Sequence, residues 1–307
     1  MKLGYFADGP WAHRALEAIL ADGNFDLRFL VLRYPKPDAV LEAAAKRLQR
    51  PCYTLANVND ERFVSTVRSL APDLLVSMSF DQILGAGIRA AAPFGFINCH
   101  AGALPFYRGR NALNWALLNG ESRIGITVHH VDDGIDTGDI IEQDFFDVGP
   151  NDDYAGVLAK AYAQCPVTLL RALCALRAGD AARTPQASIH AVGSHFPRRR
   201  NGDEWIDWSW SSRRVHNFVR AIAPPGPGAR AILRGAPVAV LKTHLMPHAP
   251  TYLAVPGAIV GKGPDAVWVK SGDSFLAIER MARVAADGRL DADMPLPPIG
   301  ARLSNGG

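Results

Sequence analysis

Two short stretches hold residue types that could do chemistry. In "FGFINCHAGALPFYRGRN", residues 94–111, Asn98 and His100 stand two apart in a run that reads as a strand, so their side chains share one face. A polar pair sits where a core pair belongs. Behind it, Pro105 and Gly109 fix a loop in which Arg108 and Arg110 offer donors for an anionic or carbonyl-bearing ligand. The second stretch, "IGITVHHVDDGIDTGDII", is a strand that enters a Gly-punctuated acidic loop. If the two strands are neighbours, an amide, an imidazole and a carboxylate meet at one sheet edge. These are the parts for stabilising an oxyanion and moving a proton.

Other chemistries find less support. "GAGIRA" at 85–90 fits G-x-G-x-x-A but does not follow the first strand, and no acidic residue ends a strand at the distance a dinucleotide site needs. Cys99 with His100, and His129 with His130, are adjacent on strands and face opposite ways, so neither pair converges on one ion and no metal is expected. A serine hydrolase would need a G-x-S-x-G elbow, and the chain has none.

The elements that must position the pair are legible as an alternation of short apolar runs and helical patterns, which predicts a Rossmann-like, mostly parallel α/β sheet. "KLGYFA", "DLRFLVLR", "DLLVSMSF", "GFINCH" and "GITVHHV" read as strands, and 12–22, 38–49 and 111–119 as helices. The pair then lies at the C-terminal end of a strand, where open α/β sheets bind ligands. Past residue 195 the texture changes to short Gly-punctuated strands such as "PVAVLKTHL" and "AVWVKSG", the pattern of a small β-barrel-like, OB-like domain. The expected division is 1–185 as the catalytic domain, 186–203 as a linker, 204–290 as the β domain and 291–307 as a mobile tail.

Bulk composition sets the bounds. The chain has 307 residues, 48% hydrophobic and 21% charged, with a formal net charge of +3, too small to demand a nucleic-acid partner. Four cysteines without a CxxC pair read as reduced thiols. The N-terminal stretch lacks an apolar signal region and no run is long enough to span a bilayer, so a cytoplasmic location and no membrane partner are expected.

"INCHAGALPFYRGRN" followed by "GITVHHVDDGIDTGDII" resembles the 10-formyltetrahydrofolate-dependent formyltransferase family, whose signature is Asn-x-His on one strand and an Asp in a D-x-G-x-D-T-G-type loop. The match is specific from about residue 70 to 145. The resemblance implies catalysis by Asn98, His100 and Asp136: an oxyanion donor, a proton shuttle and the group that holds the imidazole. It implies 10-formyltetrahydrofolate as co-substrate, lying against "SMSFDQIL" (Met78, Phe80, Ile83), Arg110 and the loop of Asp132, Asp133, Gly134 and Ile135.

"YRGRNALNWALLNGE" is similar to the form found in the family's sugar enzymes, with Ala112 where Pro is usual. That likeness implies an acceptor bound through Arg108, Asn111, Asn114 and Trp115. The acceptor is then the primary amine of a nucleotide-linked amino sugar, as in O-antigen or lipopolysaccharide biosynthesis, rather than a nucleic acid. Methionyl-tRNA formylation, a folate-dependent hydrolase and a non-catalytic binding protein are the alternatives, and a homodimer is left open.

Overall fold

A computed structural model describes residues 1–306. Along the chain lie β1 (Lys2–Ala7), α1 (Gly9–Asp22), β2 (Asp26–Leu32), α2 (Ala39–Arg47), β3 (Cys52–Thr54), α3 (Glu61–Ser69), β4 (Leu74–Met78), α4 (Ala86–Arg89), β5 (Phe96–His100) and the two-residue β6 (Arg108–Gly109). Then come α5 (Ala112–Asn119), β7 (Arg123–His130), β8 (Ile140–Asp147), α6 (Tyr154–Ala178) and the two-residue β9 (His195–Phe196). Seven of these strands make one sheet in the order β3-β2-β1-β4-β5-β7-β8. The pairs from β3 through β5 are parallel. The β5–β7 pair is antiparallel, with Asn98 opposite His129 and His100 opposite Thr127.

Local chemistry fixes where the helices begin. The Asp38 carboxylate accepts the N–H groups of Val40 and Leu41 at the start of α2, and Asp60 accepts that of Arg62 at the start of α3, caps worth about 1 kcal/mol each. The core beside β1 is aromatic: Phe6, Phe29 and Phe96 are buried with Leu75 and Ile88, and the Phe6 and Phe96 rings lie 4.9 Å apart. Burying such a ring contributes about 1.5–3 kcal/mol. This core holds β1, β4 and β5 in place beneath the polar pair.

The second sheet is antiparallel. After α7 (Ser212–Ala221) come β10 (Ala229–Leu233), β11 (Ala236–Leu245), β12 (Ile259–Lys262), β13 (Val267–Lys270), β14 (Phe275–Val284), β15 (Leu290–Met294) and β16 (Leu303–Ser304). They pair in the order β12-β13-β14-β11-β10-β16, with β15 also on β14. Register shifts between Val240 and Thr243 let the long β11–β14 ribbon bend, as a barrel-like sheet requires.

Two expectations about boundaries change. The compact units are interleaved: Met1–Gly109, Arg123–Phe146 and Ala159–Phe196 form one, and Arg110–Ser122, Asp147–Leu158 and the chain from Pro197 form the other. Helix α5 joins the second unit because it packs on α7, where the Asn114 amide donates to the carbonyl of Ala221 at 2.7 Å. Of residues 291–307, expected as a mobile tail, Asp291–Met294 supply most of β15 and Leu303–Ser304 all of β16, and Leu303 is fully buried, while Gly307 lies outside the described residues. No helix among the described residues is long and apolar enough to cross a membrane.

Candidate active site

Asn98 and His100 share a face of β5, and the antiparallel neighbour adds a residue that the sequence reading considered only as a metal ligand. His129, opposite Asn98, brings its Nε2 to 3.3 Å from the Asn98 amide nitrogen. The Nδ1 of His129 lies 2.8 Å from the carbonyl of His130. A carbonyl only accepts, so Nδ1 carries the proton and donates there. In the neutral ring Nε2 is then an acceptor that holds one N–H of Asn98. The other N–H of that amide has no protein partner among the described residues and can donate to a developing oxyanion. The "TVHH" alternation puts Thr127 and His129 on one face. That could have flagged His129 had the direction of β7 been known.

His100 is held from both ends. Its Nε2 lies 2.7 Å from the carbonyl of Tyr107 and donates to it, while its Nδ1 lies 3.5 Å from Oδ2 of Asp136. A side chain at Gly102 would meet this bond, since an added Cβ would stand 2.6 Å from His100 Nε2 and 2.8 Å from the Tyr107 oxygen. Asp136 also places Oδ1 3.5 Å from His129 Nε2 and accepts the backbone N–H of Gly109 on Oδ2 at 2.9 Å.

Burial pushes the Asp136 carboxyl pKa up. It is outweighed by the charge of His100 and by the Gly109 N–H, so the group is held well below the ordinary carboxylate range. Asp136 has φ 53°, a left-handed conformation that a residue with a side chain adopts at a cost of order 1 kcal/mol. The site therefore presents an ionised carboxylate, a clamped imidazole and a free amide donor. That set can move a proton and stabilise an oxyanion.

The residues expected around this centre divide. Ile83 and Ile135 are exposed, at 73% and 55%, and offer apolar surface to a ligand. Phe80 is half-buried and meets Phe6 edge-on at 5.5 Å, so part of its ring belongs to the core. Met78 is buried, which removes its side chain from contact with a ligand. Asp132 accepts the N–H of Gly134 at 3.1 Å and the hydroxyl of Thr137 at 2.6 Å, closing the loop that carries Asp136. Asp133 pairs with Arg89.

Arg108 and Asn114, expected to bind the acceptor, are buried and spoken for. Arg108 donates to Gln186 Oε1 and to the carbonyl of Val192, and Asn114 to the carbonyl of Ala221. Arg110 and Asn111 are exposed at the chain end of the same loop. The carbonyl oxygen of the Asn111 side chain accepts the N–H of Arg199 at 3.0 Å, and the Trp115 indole donates to the carbonyl of Pro197 at 3.0 Å.

A mostly parallel α/β sheet with Asn98, His100 and Asp136 at one centre, followed by a small antiparallel domain, defines a class that comparison makes specific. Residues 31–173 match the model of the formyl transferase family, and residues 199–288 that of its C-terminal domain. The chain belongs to the formyl transferase family. Solved structures of the same fold include WlaRD, a sugar 3N-formyl transferase determined with dTDP and 5-N-formyl-THF. It is 20% identical at a TM-score of 0.69, over 91% of this chain and 97% of that one. The N-formyltransferase of Helicobacter canadensis, bound to folinic acid and dTDP-3-aminofucose, is 19% identical at 0.68, over 91% and 99%. HypX from Aquifex aeolicus matches at 0.60 with 18% identity over 92% of this chain, which spans only 46% of that protein. At these identities the likeness is one of fold.

Proposed function

We propose that this protein transfers a formyl group from 10-formyltetrahydrofolate to the primary amine of a nucleotide-linked amino sugar. The observation that carries this reading is the convergence of Asn98, His100 and a partly buried, ionised Asp136 on one centre. The donor set fits the group: an unpartnered amide N–H for the formyl oxygen, with the exposed Ile83 and Ile135 as apolar surface for flat rings. When bound, the folate supplies an activated formyl group. Asn98 steadies negative charge at its oxygen, which is worth about 100 to 1,000-fold in rate. The Nδ1 edge of His100 takes and returns a proton, with Asp136 keeping the ring oriented. Solved relatives in fold, determined with 5-N-formyl-THF and with dTDP-3-aminofucose, support a folate donor and a nucleotide-sugar acceptor.

The acceptor rests on "RGRNALNWALLNGE", the sugar-enzyme form, and on a net charge of only +3. With Arg108 and Asn114 buried, Arg110, Asn111 and Trp115 remain the residues proposed to meet it. His100→Asn and Asp136→Asn should each lower turnover by at least about 100-fold while folate affinity, measured by calorimetry, stays within a few-fold. Near-wild-type turnover in a folded variant removes that residue from the mechanism.

Formylation of a panel of amino-sugar nucleotides and of Met-tRNA, followed by mass spectrometry at low and moderate salt, tests the acceptor. A two-phosphate substrate should show shallow salt dependence, whereas tRNA binding falls steeply as phosphate contacts are screened. Turnover confined to Met-tRNA refutes the sugar assignment, and release of free formate without an acceptor makes the protein a hydrolase.

A further inference from the structure

The two loops that deliver the catalytic groups are tied together by one side chain. Gln186, which opens the short 3₁₀ turn Gln186–Ser188 after Pro185, is buried at 3% exposure. Its Oε1 accepts from Arg108 Nε at 2.9 Å and from Nη2 at 2.7 Å. Its Nε2 donates to the carbonyl of Asp136 at 2.9 Å and to that of Gly138 at 2.8 Å. All four hydrogen-bonding positions of the amide are used. Turning the amide over would set its oxygen against two carbonyls and its NH₂ against a guanidinium, so the orientation is fixed by its partners.

The loops it joins are the ones that hold His100 and Asp136. The Arg108 loop supplies the Tyr107 carbonyl to His100 Nε2 and the Gly109 N–H to Asp136 Oδ2. The second loop carries Asp136 at its left-handed φ, and Gln186 grips that residue by its own carbonyl. We infer that Gln186 is a positioning residue for the reaction: its amide sets the register between the Arg108 loop and the Asp136 loop, and so the placement of Asp136 against His100. It touches no reacting atom. A misplacement of about 1 Å in such a pair can cost about 100-fold in rate, so an uncharged, buried residue far along the chain should behave like part of the site.

Two variants separate this role from simple support. Gln186→Met keeps length and loses all four bonds. Gln186→Glu keeps the pair with Arg108 and replaces the donors to Asp136 and Gly138 by an acceptor. Both should lower kcat by about 10 to 100-fold with KM for donor and acceptor within about 3-fold. If Gln186 serves only to anchor Arg108, Gln186→Glu behaves as wild type and the inference is wrong.

The second readout uses no substrate. With ¹⁵N-histidine labelling, and with the His100→Asn spectrum to assign the signal, the ring-nitrogen shifts of His100 should move in Gln186→Glu although the protein melts within a few degrees of wild type. An unmoved His100 signal, or a loss of activity that tracks only the folded fraction, overturns the proposal. The kinetic arm rests on the formyl-transfer reading, whereas the NMR arm does not. Absence of formyl transfer by the wild type therefore counts against that reading alone, and a still His100 signal against this one.

Discussion

Asp136 answers to His100 and one backbone N–H, and its charge is a stability device. Its pKa in the folded state lies below its unfolded value of about 3.9. The folded state therefore binds its proton more weakly, and the carboxylate's contribution is complete above that unfolded value. It is lost as pH falls toward the folded one. The stability gap between wild type and Asp136→Asn, from urea melts, should be present at pH 5 and shrink as pH falls below about 4. A gap that instead closed between pH 7 and 5 would show that another group holds the charge.

At this scale the sequence pointed to the side chains that the structure brings together, because Asn-x-His on a strand and an Asp in a Gly-bounded loop are local patterns. It misjudged Arg108 and Asn114 for a physical reason. A loop Arg or Asn has the same donors whether it faces a ligand or a buried Gln186 or Ala221 carbonyl, and burial is decided by segments 78 and more residues away.

Between elements, the site depends on a turn tight enough to bring a backbone carbonyl back onto the strand it has just left. The chain departs β5 at His100 and returns within seven residues to place the Tyr107 oxygen on His100 Nε2. Gly102 is where it passes beneath that bond. Gly102→Ala must push either the ring or the carbonyl aside, and overpacking of this kind costs about 1–3 kcal/mol. We expect a modest fall in melting temperature with a loss of turnover of about 100-fold, read from the same enzyme preparation. Wild-type turnover in Gly102→Ala would mean that the clamp on His100 is dispensable.

The strands themselves were visible as bounded apolar runs. The direction of β7 was not, since a run of alternating residues reads the same either way and the crossover through α5 decides it. That one reversal places His129, rather than a residue of a parallel neighbour, opposite Asn98.

At the scale of the molecule, the change of texture after residue 195 did announce a second, antiparallel sheet. What it concealed was that the sheet is completed by residues that look like a tail. "LDADMPLPPIGARLSN" is polar and proline-rich, and its two strands are short enough to escape any test of periodicity. Yet Leu303 is buried, its N–H donates to the Gly257 carbonyl at 2.8 Å, and Ile259 donates to the Ala301 carbonyl at 2.8 Å. β16 covers the free side of β10, and β15 that of β14.

Removing residues 290–307 would forfeit the burial of Leu303, about 1.5–3 kcal/mol, and leave two strand edges unpaired. With about 2–4 °C lost per kcal/mol in a chain of this size class, the truncated protein should melt about 5–10 °C lower, and the loss should appear in the transition of the β domain. Differential scanning calorimetry of the truncated and full chains decides between the two pictures. A dispensable tail leaves the melting temperature unchanged, whereas a structural one takes the second unit's stability with it.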